Sequence, residues 1–127
     1  KSMCDRHDKS YYPQYKKWCD EYFYLKHRKE PRGIGGIFFD YLNNDNFEND
    51  FLFVREVGSF FHTYVDKIIT LNKDKNWTNK DRELQLIKRG RYIEFNLLYD
   101  RGTKFGLETG GNTDAILMSL PPLAAWE

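Results

Sequence analysis

The chain has 127 residues, with 20 Lys and Arg against 19 Asp and Glu, and 17% of its residues are aromatic. That length suits one domain, residues 1–127, with a modest core built largely from rings, and the near-neutral charge balance excludes nucleic acid as a main partner, because phosphate-backbone binding needs a dominant cationic face. No run approaches the roughly 20 apolar residues of a membrane span, and Cys4 and Cys19 are too few for a disulfide scaffold and too far apart for a zinc cluster, which points to a reducing compartment.

In chain order, Tyr11, Tyr15, Trp18, Cys19, Tyr22 and Phe23 recur at three and four residues with charged residues between them, predicting an amphipathic helix whose aromatic stripe is core. Ser10 is its expected cap, and Pro13 suits a first turn. A basic stretch then leads into Gly33, Gly35 and Gly36. These lack the spacing of a dinucleotide loop and precede, rather than follow, the apolar run Ile37, Phe38, Phe39, so the expectation is a strand with a bulge. His27, beside Lys26 and Arg28, reads as a hydrogen-bonded or surface residue rather than a metal ligand.

Asp45 and Glu48 have capping-box spacing, and Phe47, Phe51, Val54, Phe61, Val65 and Ile68 share one face of a helix expected to run to about Leu71 despite Gly58. Thr78 and Asp81 announce a third helix over residues 82–88, with Gly90 as its left-handed cap. From 92 to 99 two sets interleave, Ile93, Phe95, Leu97 and Tyr99 against Tyr92, Glu94, Asn96 and Leu98, which is the alternation of a half-buried strand. A second strand is expected over 115–120. The connection at 100–111 carries Arg101 and Lys104 among glycines, so amides and cations are expected to converge there on an anion.

Tyr12 through Asp20, His27-Arg28, Arg32 through Asp40, Arg89 through Leu107, Thr109-Gly110-Gly111, Ile116 through Pro122 and Trp126-Glu127 resemble, in order and over essentially the whole chain, the oxygen-dependent coproporphyrinogen III oxidases. The resemblance implies an α+β fold, a broad antiparallel β-sheet covered by helices, working as a homodimer. It implies oxidative decarboxylation of two propionates of coproporphyrinogen III to vinyl groups, giving protoporphyrinogen IX in haem biosynthesis. Molecular oxygen is the co-substrate and no organic cofactor is implied; a metal role suggested for the family's histidines, one of whose positions His27 occupies, carries minor weight because its partner residues lie upstream. The protein's part is orientation and local electrostatics.

Family members are longer, and this sequence, which opens without Met, resembles their C-terminal portion. The family's catalytic His, Asn-x-Arg and Asp motifs have no counterpart in it, so its catalytic residues remain unassigned. Gly110, Gly111 and Asn112 match a substrate-contacting triplet by position. Arg91 and Arg101 join them by charge and placement, the alternative being ordinary pairing with Glu94 or Asp100. The family places dimer contacts in the last third of the chain, where Ile93, Phe95, Leu97, Tyr99 and Leu117 supply apolar faces. Pro31, Tyr41, Asn112 and Ala125 depart from the family pattern, three of them by loss of a cation. The compartment implied is the cytoplasm, or alternatively the mitochondrial intermembrane space. The competing function is a non-catalytic tetrapyrrole-binding or dimerising module.

Overall fold

The structure is a computed structural model that describes all 127 residues. Its contacts cluster into two compact units, Lys1–Cys19 with Gly36–Asn76, and Asp20–Gly35 with Trp77–Glu127.

The first unit holds α1 (Cys4–His7), most of α2 (Tyr11–Tyr22) and α3 (Phe47–Asn72). The expected aromatic stripe of α2 is core: Tyr15 is buried with Met3, Cys4 and Phe53, and Tyr11, Tyr12, Trp18, Ile37, Phe39 and Val57 pack around them. Phe53 is fully buried, its ring centroid 4.7 Å from Tyr11 and 5.3 Å from Phe39. Edge-on and tilted rings at these separations add to area burial. α3 begins where Asn46 accepts a hydrogen bond from the Asn49 amide. Asp50 is buried, with its carboxylate accepting from the Asn44 backbone and side chain, which offsets the cost of removing that charge from water.

The second unit holds the hairpin of β1 (Tyr24–Leu25) and β2 (Glu30–Pro31), then α4 (Asn79–Leu98), α5 (Arg101–Glu108) and α6 (Thr113–Leu117). Tyr24 pairs with Pro31 and Leu25 with Glu30, antiparallel. Leu25 and Phe95 are fully buried, and Phe23 and Tyr22 pack on Phe95 at 5.1 and 5.6 Å between centroids. The Arg32 guanidinium sits 4.2 Å from the Phe23 centroid. The last residues return to α4, where the Ala125 amide donates to the Leu86 carbonyl.

Several sequence expectations are corrected. There is no broad antiparallel sheet covered by helices: the only sheet has two strands of two residues each, and helix dominates. Residues 92–98 continue α4, with Tyr99 as its C-cap; the helix starts at a full capping box between Thr78 and Asp81 and runs through Gly90. The alternation there is not a face. Phe95 is fully buried while Leu97 is 43% exposed, whereas Arg91 and Phe95, four apart, are both buried. A strand needs neighbours for its backbone groups, and a helix satisfies them within its own segment. Gly90 is no terminator: a Cβ there would stand 2.5 Å from the Ala125 carbonyl oxygen, so glycine admits the returning chain.

Residues 100–111 contain α5 rather than an open loop, and 115–120 begin inside α6. Ile37, Phe38 and Phe39 form no strand; the Phe38 amide donates to the Tyr15 carbonyl instead. Asp45 does not cap α3. It sits at φ 57° one residue before the capping Asn46.

Candidate functional site

The second unit gathers its ionisable side chains where the hairpin tip meets one face of α4. Helical spacing puts Arg91, Glu94 and Phe95 on neighbouring turns, so the buried ring anchors the helix while the two charged groups face the tip. The four residues 26–29 connect β1 to β2, with Lys29 in the left-handed region at φ 56°, and they present His27 and Arg28. Arg28 clamps Glu94 from two sides, Nε lying 2.7 Å from Oε2 and Nη2 2.7 Å from Oε1. His27 Nε2 lies 2.8 Å from the same carboxylate and its Nδ1 2.8 Å from the Tyr99 hydroxyl.

The Arg28 guanidinium, assisted by His27, holds the Glu94 carboxyl down at about 2 against the opposing effect of desolvation. An ionised carboxylate only accepts, so His27 donates from Nε2, and in the neutral ring Nδ1 accepts from the Tyr99 hydroxyl. Both ring nitrogens are therefore engaged in hydrogen bonds. No group of three or more His, Cys, Asp and Glu side chains is arranged to hold a metal.

Arg91 is buried beside this cluster. Its Nε donates to Glu30, and its Nη2 lies 3.2 Å from Glu127 Oε1. Nη1 is buried with no hydrogen-bond partner, 4.0 Å from Glu94 Oε1. The Arg91 hydrogen bond lowers the pKa of Glu30, and Lys88 adds to it from 3.8 Å.

The other expected site residues lie further along. Arg101 opens α5, its guanidinium 5.5 Å from the Tyr22 ring, next to the capping Asp100. Gly110, Gly111 and Asn112 form the turn from α5 to α6 and are exposed. Gly110 adopts φ 73°, the Gly111 amide donates to the Gly106 carbonyl, and the Asn112 side-chain oxygen caps α6 through the Ala115 amide. Arg91 is thus held by Glu30 and Glu127, while the glycine turn is held by the α5 and α6 termini. Among the apolar positions, Phe95 is fully buried, Ile93, Tyr99 and Leu117 are half-buried, and Leu97 is exposed. The His27, Arg28, Glu94 and Tyr99 constellation was not foreseen as a unit. No local spacing in the sequence joins its members, which come from the hairpin tip and from the end of α4.

The first unit has a polar cavity of about 610 Å³ near Arg6, His7, Tyr11, Asn44 and Asp50. Its charged groups have partners: Arg6 and His7 on Glu56, Asp8 on the Ser10 amide, and Asp50 on Asn44.

Comparison with known proteins points one way. A family model described as Coproporphyrinogen III oxidase matches residues 1–127. The oxygen-dependent coproporphyrinogen-III oxidase of Rickettsia rickettsii (strain Sheila Smith) is 64% identical over 122 residues, 96% of this chain and 44% of that protein. Its namesake in Rickettsia bellii (strain OSU 85-389) is 61% identical over 126 residues, 99% of this chain and 45% of that protein. The Rickettsia akari (strain Hartford) protein of that name is 62% identical over 122 residues. The chain spans somewhat under half the length of these relatives. It belongs to the coproporphyrinogen III oxidase family.

Proposed function

We propose that this chain is part of an enzyme that converts coproporphyrinogen III to protoporphyrinogen IX with molecular oxygen, in haem biosynthesis. The observation that carries the reading is identity of 61–64% over nearly the whole chain with relatives bearing that name. In each of two steps a propionate loses carbon dioxide and a hydride equivalent, leaving a vinyl group. The two electrons reduce one dioxygen to hydrogen peroxide, with a proton taken up. The reduced tetrapyrrole is electron-rich enough to react with oxygen itself, so the protein's work is orientation and exclusion of water, and no cofactor beyond oxygen is invoked. The bacterial origin of the relatives favours a cytoplasmic setting over the mitochondrial intermembrane space.

Within this chain the substrate carboxylates are assigned to Gly110, Gly111 and Asn112 with Arg101, and to Arg91. For Arg91, support comes from its buried Nη1, which has no hydrogen-bond partner, and from Glu127, a partner whose side chain is 69% exposed. A ligand carboxylate replacing Glu127 would exchange one anion for another at the same guanidinium, without leaving a buried charge unpaired.

The test is oxygen uptake and vinyl product from this chain combined with the remainder of the Rickettsia rickettsii relative, after chelator treatment. Aerobic protoporphyrinogen IX is expected, and Arg91→Ala and Asn112→Ala are expected to raise KM more than they lower kcat. Absence of product from the folded assembly favours the non-catalytic module. Homodimerisation through Ile93, Leu97, Tyr99 and Leu117, with Phe95 backing them from the core, is part of the same proposal. Folded Leu97→Asp and Leu117→Asp variants are expected to sediment as monomers; dimers from both would remove that surface from consideration.

A further inference from the structure

We infer that Glu127 is a built-in competitor at one edge of Arg91, and that a carboxylate ligand bound there unfastens residues 124–127 from α4. The inference rests on the assignment of Arg91 to a ligand carboxylate and adds what regulates that site. A guanidinium offers a planar anion two edges that are relevant here, Nε with Nη2 and Nη1 with Nη2. In Arg91 the Nε hydrogen bond goes to Glu30, while Nη2 lies 3.2 Å from Glu127 and Nη1 is buried with no hydrogen-bond partner. The edge formed by Nη1 and Nη2 is thus half used. Glu127 makes one contact where a carboxylate lying along that edge makes two.

The Arg91 side chain is 6% exposed, so its charge needs an anion whether or not a ligand is bound. Glu30 is shared with Lys88 at 3.8 Å, and Glu94 is held by Arg28. Glu127 brings the cluster to three cations, Arg28, Lys88 and Arg91, against three carboxylates. A ligand carboxylate that exchanges for Glu127 keeps this balance, whereas one added beside it leaves an excess negative charge in a partly buried cluster.

Glu127 does not leave alone. Residues 121–127 form neither helix nor strand. They are held to α4 by the Ala125 amide, 3.1 Å from the Leu86 carbonyl, by the Ala125 carbonyl and Trp126 indole that close over Gly90, and by the Glu127 contact. These contacts come from consecutive residues, so giving up the last loosens the others. Linkage makes the effect reciprocal: the factor by which the fastened segment weakens ligand binding is the factor by which the ligand weakens the segment.

The experiment follows binding of coproporphyrin III to the full chain by porphyrin fluorescence, and exchange of the Ala125 amide by NMR with and without it. Coproporphyrin III is the stable oxidised form of the proposed substrate and carries its carboxylates; the tetramethyl ester is the control. Glu127→Gln is expected to tighten binding by about two- to fivefold, the range of one exposed ion pair. Glu83→Gln, which removes an equal charge from an exposed position of α4, is expected to leave binding unchanged. Saturating ligand should speed Ala125 exchange by about the same factor in the parent chain, and should have no such effect in Glu127→Gln, where exchange is already fast. The ester should do neither. Equal affinity of the parent and Glu127→Gln, which is also what binding to an apolar surface elsewhere would give, overturns the inference. So does Ala125 exchange indifferent to bound ligand, and so does failure of both chains to bind. Each of these results leaves the proposed reaction standing, since the product assay decides that separately.

Discussion

Replacing Glu94 by Gln removes one charge from the most tightly held carboxylate of the second unit. The side chain is 11% exposed, accepts three hydrogen bonds from Arg28, and lies 2.8 Å from His27. A carboxyl whose pKa falls from 4.5 to about 2 on folding has a depressed folded value. Its contribution is therefore fully present above pH 4.5 and is lost as pH falls toward 2. At 1.36 kcal/mol per pH unit the linkage gives ~3 kcal/mol at pH 7, falling to about 1 at pH 3 and to a small fraction of the pH 7 value near pH 2. The Gln oxygen still accepts from Arg28, so Glu94→Gln should cost about 2–3 kcal/mol at pH 7. Urea unfolding of both proteins from pH 7 to pH 3 measures the difference, in which the other titrating groups cancel. A difference that stays constant with pH, or below about 0.5 kcal/mol at pH 7, refutes the reasoning.

Phe53→Ala empties a fully buried ring position in contact with Tyr11, Tyr15 and Phe39 and should cost about 3–5 kcal/mol by urea unfolding. Gly90→Ala should destabilise by about 2 kcal/mol although alanine favours helix by about 1, since the new Cβ meets the Ala125 carbonyl. Faster hydrogen exchange of the Ala125 amide, which donates to Leu86, would locate the damage. Tyr99→Phe removes the hydroxyl facing His27 Nδ1 and should cost about 1 kcal/mol, read from the same denaturation curves.

The two long apolar patterns of the first unit were legible because their period persists over several turns. α3 was expected over 47–71 and spans Phe47–Asn72, and the stripe of α2 is core as read. The cap of α3 was missed by one residue, because residues 43–46 are all Asn or Asp and any of them is a competent cap. The second unit misled for a different reason. Eight residues of alternation at 92–99 fit a strand when taken alone, yet Ile87, Arg91 and Phe95 also sit four apart and follow a strong helix start at Thr78 and Asp81. Gly90 tipped the balance, since a glycine needed for close approach looks the same in sequence as one that ends a helix.

The charged site was the least legible part. Arg28 and His27 stand 66 and 67 residues from Glu94, and no local pattern joins them. Reading cations as a site for an anionic ligand overlooks what the folded chain does with them. Arg28, Lys88 and Arg91 face Glu94, Glu30 and Glu127, so the cluster is close to neutral before any ligand arrives. An anion therefore gains little by joining the cluster intact. It gains by displacing a carboxylate, and the partners differ sharply in how easily they yield. Glu94 is bound from two sides and Glu30 is drawn below its ordinary pKa by Arg91, whereas Glu127 makes one contact of 3.2 Å from an exposed side chain. Of the three carboxylates, Glu127 at the Nη2 edge of Arg91 is therefore the one a ligand anion would displace under the proposed function, and the Arg28 and Glu94 clamp fixes the hairpin tip against α4 independently of it.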